Sequence, residues 1–378
     1  MPRVLIAPDK FKGSLTASAV AAAVAAGLRA VVPDLDVRQT PVADGGDGTL
    51  DAAVSAGYRA VPVRVDGPVG DPVDTAYAVH EGVAVVEMAD ACGLSRLPGG
   101  RLEPLRASSY GLGQVVRAAV DAGCRQVVMG IGGSASTDGG AGMLTALGAR
   151  FLDRAGNELP RGGAALTDLD RVDLTGLHPA LEGVDVLVAS DVDNPLLGPR
   201  GAAAVYGPQK GATPDDVQAL DAALARLVAV LGAADAATRP GAGAAGGVGF
   251  GAFAALGARA QPGIELLMHL TGFHDQLAGA SLVITGEGFL DTQTLSGKAP
   301  AGIAAAARAA GVAVLAVAGQ CALSDTELEG AGIRAAYALT DIEPDPQRCI
   351  AEAAPLLERL SEQIARDWLQ PTGQGIRS

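Results

Sequence analysis

The sequence predicts an α/β protein of two domains built on parallel sheets, and three observations carry that expectation. A chain of 378 residues is too long for one compact core. Short, almost wholly apolar runs, VLIA (4–7), QVVMGI (126–131), DVLVAS (185–190), SLVIT (281–285) and VAVLAVAG (312–319), alternate with helical patterns. Such runs suit strands covered on both faces. The apolar fraction is 49% but aromatics are only 3%, so the cores must be built from Val, Leu and Ala.

Taken in order, VLIA is a buried strand that leads through a loop into a helix from about Ser14 to Val31. Val20, Val24, Leu28 and Val31 share one face of that helix, which stops before Pro33. DVRQTPV (36–42) is a second strand, followed by the glycine-rich ADGGDGT (43–49) and a short helix over 50–56. From Tyr58 to Met88 the pattern changes to YRAVPVRV, DTAYAVH and GVAVVEM, with the turn-rich DGPVGDP between the first two, which predicts an antiparallel meander and a domain boundary near residue 58. Alternation then returns: a helix at 109–122, strand QVVMGI, a helix after Asp138, strand DVLVAS and a helix at 214–231. Residues 241–258, GAGAAGGVGFGAFAALGA, read as a packed segment rather than a tether, because Phe250, Phe253 and Leu256 fall at helical spacing. SLVIT, a helix at 300–309, VAVLAVAG, AAYAL and a helix at 349–367 complete the order, and PTGQGIRS (371–378) reads as a frayed end.

Composition excludes several functions. Net charge is −14 with no basic cluster, which argues against nucleic acid and anionic membranes as partners. The first apolar run is too short for a signal peptide, and later ones are interrupted by Arg29, Glu87 or Gln320. Cys92, Cys124, Cys321 and Cys349 form no CxxC pair, and His80, His178, His269 and His274 share no metal-like spacing. A cytoplasmic protein is the expectation. GxSxG, GxxxxGK[ST] and the HRD and DFG kinase signatures are all absent.

The 28 basic residues include only four lysines, Lys10, Lys12, Lys210 and Lys298, in the strings PDKFKGS, GPQKGAT and TLSGKAP. Each sits in a short string with glycine nearby and none on an amphipathic helix, where solubilising lysines collect. An ammonium on a flexible stem can follow a phosphoryl group as charge moves, which a planar guanidinium does less readily. Lys10, Lys12 and Lys298 are therefore assigned to phosphate contact, while Lys210 is divided between that role and a plain turn. PDKFKGS also lies between a strand end and a helix N-terminus, which favours anions, with Ser14 as the alternative explanation through helix capping.

Four other strand-end loops gather polar groups. ADGGDGT offers Asp44 and Asp47 around Gly45 and Gly46, and paired carboxylates suit Mg2+. GIGGSASTDGGAG (130–142) offers Gly132, Gly133 and Ser134 as an anion nest. Its Gly130, Gly132 and Ala135 give a weak dinucleotide spacing without a well-placed acidic partner. ASDVDNP (189–195) carries Asp191, Asp193 and Asn194, suited to a cation, a hydroxyl ligand or a solvated turn. TGEGFLDTQTLSGKAP (285–300) combines Glu287, Asp291, Thr292, Gln293, Thr294 and Lys298, more polar groups than any core needs. Lysines, carboxylates and glycine amides at strand ends suit phosphoryl transfer, which needs positioning and neutralisation of spread charge. Unaided, the residues indicate a small-molecule kinase using ATP and Mg2+.

The blocks APDKFKGSLTA, ADGGDGT, GIGGSASTDGGAG, SDVDNPLLGPRGAA, YGPQKGA and TGEGFLDTQTLSGKAP, in this order from residue 6 to residue 300, resemble the signature blocks of the bacterial glycerate kinase family. The resemblance implies ATP-dependent phosphorylation of D-glycerate, with the 2-phosphate preferred over the 3-phosphate. It implies a discontinuous flavodoxin-like domain (1–57 plus 280–378) with helices on both faces of a parallel sheet. An inserted domain (58–279) would have a mixed sheet resembling a restriction-endonuclease fold. Asp47 stands where the family is expected to carry Glu. On this basis Lys10, Lys12, Lys298, Glu287, Gly45, Gly46, Gly132, Gly133 and Ser134 are assigned to ATP and its phosphates. Asp191 or Asp44 is assigned to Mg2+, Asp291 to the glycerate hydroxyl as base or orienting group, and Asp44 and Asn194 to substrate. Lys298, Asp291 and Asp191 form the catalytic set. Two rivals stay open: a nicotinamide-dependent hydroxy-acid oxidoreductase and a nucleotide sensor without turnover. Monomer and homodimer also both stay open.

Overall fold

The computed structural model describes residues 3–296 and 298–370, so PTGQGIRS lies outside the described residues. In chain order the strands are β1 (Arg3–Pro8), β2 (Asp36–Gln39), β3 (Arg59–Asp66), β4 (Pro72–His80), β5 (Val83–Glu87), β6 (Gln126–Gly130), β7 (Arg150–Leu152), β8 (Arg171–Asp173), β9 (Asp185–Ala189), β10 (Arg259–Gln261), β11 (Leu282–Leu290), β12 (Ala313–Cys321) and β13 (Ala335–Ala338). The chain divides into two compact units. The first comprises the residues up to Asp44, Asp51–Ala56 and those from Ile264 onward; the second comprises Gly45–Leu50 and Gly57–Gly263.

The first unit is a five-stranded, all-parallel sheet in the order β13-β12-β11-β1-β2. Counted within the unit this is 2-1-3-4-5, the flavodoxin-like order, whose direction reverses between β1 and β11. Strand alternation divides the apolar residues between two faces. Val4, Ile6, Ile284, Leu315 and Val317 pack against Val20, Val24 and Leu28 of helix Ala17–Val31 and Leu357, Leu360 and Ile364 of helix Ala353–Trp368. Leu5, Ala7, Val283, Val314 and Ala316 pack against Ile264, Met268 and Phe273 and against Ile303 and Ala304 of helix Ala299–Ala309.

Three local readings differ from the structure. Helix Ala17–Val31 starts three residues later than expected, capped by Thr16, whose side chain accepts the Ala19 N–H. The reason is a tight turn: Phe11 and Leu15 bond each other's backbones, and Gly13 takes φ +79°. Ser14 donates instead to the carbonyl of Ile350, 2.7 Å away. Strand β11 runs on through GEGFL, pairing with β12 as far as Leu290 opposite Cys321, so Glu287 lies on a strand rather than in a loop. The expected helix at 349–367 is two helices, Pro346–Ala351 and Ala353–Trp368, interrupted at Glu352 with φ −114° and ψ 26°.

The second unit holds a mixed six-stranded sheet in the order β10-β9-β6-β5-β4-β3. β3, β4 and β5 form the expected antiparallel meander, and β5, β6, β9 and β10 run parallel. Ala84, Val86, Val127, Met129, Val186 and Val188 share a core with Leu112, Val115 and Val116 of helix Tyr110–Asp121 and with Leu224 and Leu227 of helix Pro214–Leu231. The 241–258 segment is packed, with Phe250 fully buried. β7 and β8 form a small separate hairpin-like pair. Registers Glu87–Gly130 and Gly130–Ala189 end three parallel strands at one level, where their loops begin.

Candidate active site

In the first unit the polar residues gather at the β1/β11 reversal. Parallel pairing brings Pro8 opposite Gly286, and the Asp9 N–H donates to the Gly286 carbonyl at 2.8 Å. Asp9 therefore leaves the end of β1 beside Glu287, which stands on β11 as that strand runs on. The carbonyl of Pro8 accepts the Val42 N–H, which leads the chain from β2 to Asp44 beside them. Lys10 Nζ lies 3.6 Å from Asp9 Oδ1, and Lys298 Nζ lies 3.6 Å from Glu287 Oε2. Gly288 brings β11 against the loop: a Cβ there would come within 3.2 Å of the Lys12 N atom. Lys10, Lys12 and Lys298 thus share one end of one sheet, the place where open α/β sheets bind ligands. Lys298 immediately precedes helix Ala299–Ala309 at its positive end.

The carboxylates differ in surroundings. Asp9, only 5% exposed, is pushed up from 3.8 to about 7, chiefly by burial, with the Lys10 ammonium opposing and Asp44 and Glu287 adding to the rise. Burial also raises Glu287, against its bonds to Thr294 and the nearby Lys298. Asp291 Oδ1 accepts the backbone N–H groups of Gln293 at 2.8 Å and Thr294 at 3.3 Å, shaping the turn that presents Lys298.

The Asp9 shift has a testable sign. A carboxyl whose folded pKa exceeds its unfolded one contributes stability that is full below the unfolded value and lost as pH rises through the folded value. The window here runs from 3.8 to about 7. Asp9→Asn should therefore gain stability relative to wild type as pH rises from about 4 to about 8, read as the difference in melting temperature. A difference independent of pH would show that Asp9 ionises as an ordinary exposed carboxyl.

In the second unit the two glycine-rich loops meet. The Gly132 N–H donates to the Gly45 carbonyl at 3.1 Å, and a Cβ on Gly132 would come within 2.6 Å of Gly46 Cα. Glu87, at the end of β5, accepts the N–H groups of Gly48 at 3.2 Å and Leu50 at 2.8 Å, holding the GGDG stretch. Burial pushes the Glu87 carboxyl up to about 7 despite these bonds. Ser134 Oγ accepts from Lys210, whose side chain is buried. Asp191 Oδ1 accepts the Gly263 N–H at 2.7 Å. Both ends of the Asn194 amide are engaged inside the unit: Nδ2 donates to the Arg200 carbonyl and Oδ1 accepts from Tyr206 Oη.

Sequence reasoning passed over Asp9, Glu87 and Asp138. Asp138 is 1% exposed and accepts from Ser108 Oγ, from Ser109 N and Oγ, and from the N–H groups of Gly140 and Gly142. Its place in the glycine-rich TDGG offered a signal, but burial cannot be read from such a string. Among the described residues no group of three or more His, Cys, Asp or Glu is arranged to hold a metal ion. Among those residues, too, no helix is long and apolar enough to cross a membrane.

A family model described as the glycerate kinase family matches residues 4–369. The chain belongs to the glycerate kinase family. It is 43% identical to a glycerate kinase of Halalkalibacterium halodurans over 372 residues, 97% of this chain and 98% of that one. It is 41% identical to a glycerate 2-kinase of Escherichia coli over 323 residues, 84% and 85% of the two chains. A crystal structure of a candidate glycerate kinase 2 from Salmonella typhimurium LT2 superposes with a TM-score of 0.83 at 40% identity, covering 97% of this chain and 98% of that one. As a member of the glycerate kinase family the chain is a kinase, and the oxidoreductase and sensor readings fall away. Gly132, central to the dinucleotide reading, instead packs on Gly46.

Proposed function

We propose that this kinase transfers the γ-phosphoryl group of ATP to the 2-hydroxyl of D-glycerate. The observation that carries the reading is the meeting of Lys10 with Asp9 and of Lys298 with Glu287 at the β1/β11 reversal, with the backbone of Lys12 against Gly288, a cationic rim backed by carboxylates. Phosphoryl transfer requires this kind of charge neutralisation. The preference for the 2-hydroxyl is supported by the printed name of the E. coli relative.

Lys298, Lys10 and Lys12 are assigned to phosphate oxygens. Gly45, Gly46, Gly133 and Ser134 are assigned to backbone and hydroxyl contacts with phosphate. Gly132 acts there through shape, since its own N–H is given to Gly45. Glu287 orients Lys298. Asp291 orients the glycerate hydroxyl or takes its proton, and Asp44 and Asn194 belong to the substrate side. Mg2+ typically keeps several waters and rides on substrate phosphates with one or two carboxylates. A single carboxylate such as Asp44 or Asp191 therefore fits it without a three-residue cage. The ion would supply neutralisation of developing charge.

ADP release from ATP with D-glycerate, followed by phosphorus NMR of the product, tests the reading. The expected result is glycerate-dependent ADP formation and a phosphorus signal coupled to the single C2 proton. ADP formation indifferent to glycerate would remove the substrate assignment, and a signal coupled to the C3 methylene would move the product to the 3-phosphate.

A further inference from the structure

Lys210 lies in the second unit. It ends the short turn Pro208–Lys210 in the second unit and is 1% exposed, among the largest fully buried side chains. Among the described residues its Nζ donates to Ser134 Oγ at 2.8 Å and to the Ser136 carbonyl at 2.5 Å. Both acceptors belong to the loop that leaves β6, and Asp138, at the far end of the same stretch, lies close enough to act on the Lys210 charge. Ser134, Ser136, Thr137 and Asp138 are all buried, and Ser136 Oγ and Thr137 Oγ1 have no hydrogen-bond partner among the described residues. A surface turn does not need such a set, whereas a loop held in one shape for a ligand does.

Burying a lysine is costly unless its donors are matched. Here the two acceptors equal the two N–H groups of a neutral amine. Burial lowers Lys210 from 10.5 to about 7, so the uncharged form is accessible. Arginine cannot shed its proton, and its planar fork would need more acceptors. An arginine-rich chain thus has a reason to keep lysine at this position.

We infer that Lys210 is a positioning residue: from inside the second unit it fixes the backbone of residues 133–136 and thereby the ability of that loop to hold phosphate. The inference rests on the nucleotide reading above. Lys210 touches the loop from its buried side, so its loss acts on binding and not on the chemical step.

The test is Lys210→Met, which keeps the length and removes both donors. The expected result is a cooperative melt, a KM for ATP raised about tenfold or more, and kcat within about threefold of wild type. A folded variant with unchanged KM for ATP, or one that is only less stable, would overturn the inference. If Lys210→Met does not fold, Lys210→Gln, whose NH2 sits one bond closer to the backbone than the lysine nitrogen, should show the same rise in KM, and an unchanged KM there would overturn the inference equally. Titration of ATP alone into wild type and variant separates the two readings. If no glycerate-dependent ADP appears, the substrate assignment falls, while about tenfold weaker ATP binding by the variant still supports the Lys210 role and equal binding overturns it.

Discussion

Lys298→Met is expected to lower kcat for ADP formation by about 100-fold or more, the scale of losing a charge that meets a transferring phosphoryl group. The side chain is about one-third exposed, so little packing is lost. Its ammonium, however, is the cation beside Glu287, whose carboxyl burial already raises. Methionine would leave Glu287 without that partner and remove the cation at the mouth of helix Ala299–Ala309. Lys298→Arg should recover only part of the rate, because a planar fork cannot reproduce a point charge with three rotatable donors. Steady-state ADP release and a circular-dichroism melt, run together, separate rate from folding. A folded Lys298→Met with kcat within a few-fold of wild type would remove this residue from the chemistry.

Asp138→Ala should be the most destabilising single change considered for the second unit, costing about 3–5 kcal/mol. Its carboxylate gathers side-chain and backbone donors from Ser108 and Ser109 and backbone donors from Gly140 and Gly142. Alanine would strand all of them in a buried site. Asn fails too, since its NH2 would face an N–H group on one side. For a unit of this size the cost corresponds to a fall of roughly 10 °C in the transition that unfolds it. Differential scanning calorimetry reads this directly, and a shift below about 3 °C would show that the donors find other partners.

The strands were legible because each repeats a simple physical rule. Leu5 and Ala7 point one way and Val4 and Ile6 the other, so a short apolar run reports both a strand and two covered faces. The placement of three of the four lysines at one end of one sheet was also legible, since their strings follow strands that the sheet order then brings together. Glu287 was read as a loop residue because GEGFL carries two glycines. In the structure Gly286 allows close approach to the Val317 carbonyl, which would lie 2.1 Å from a Cβ, and the strand continues. The roles of Asp9, Glu87, Asp138 and Lys210 depend on burial, which is set by residues distant in sequence. GPQKGAT leaves Lys210 divided between phosphate contact and a plain turn until Ser134 and Ser136 are placed over it.

A chain with only four lysines permits one direct measurement of the central claim, amine-reactive footprinting with and without Mg·ATP, read at each lysine by mass spectrometry. Lys10, Lys12 and Lys298 should react in the free protein and become protected when ATP is present, while Lys210 stays unreactive in both states. Equal modification of Lys10, Lys12 and Lys298 with and without ATP, at a nucleotide concentration that saturates turnover, would contradict the account.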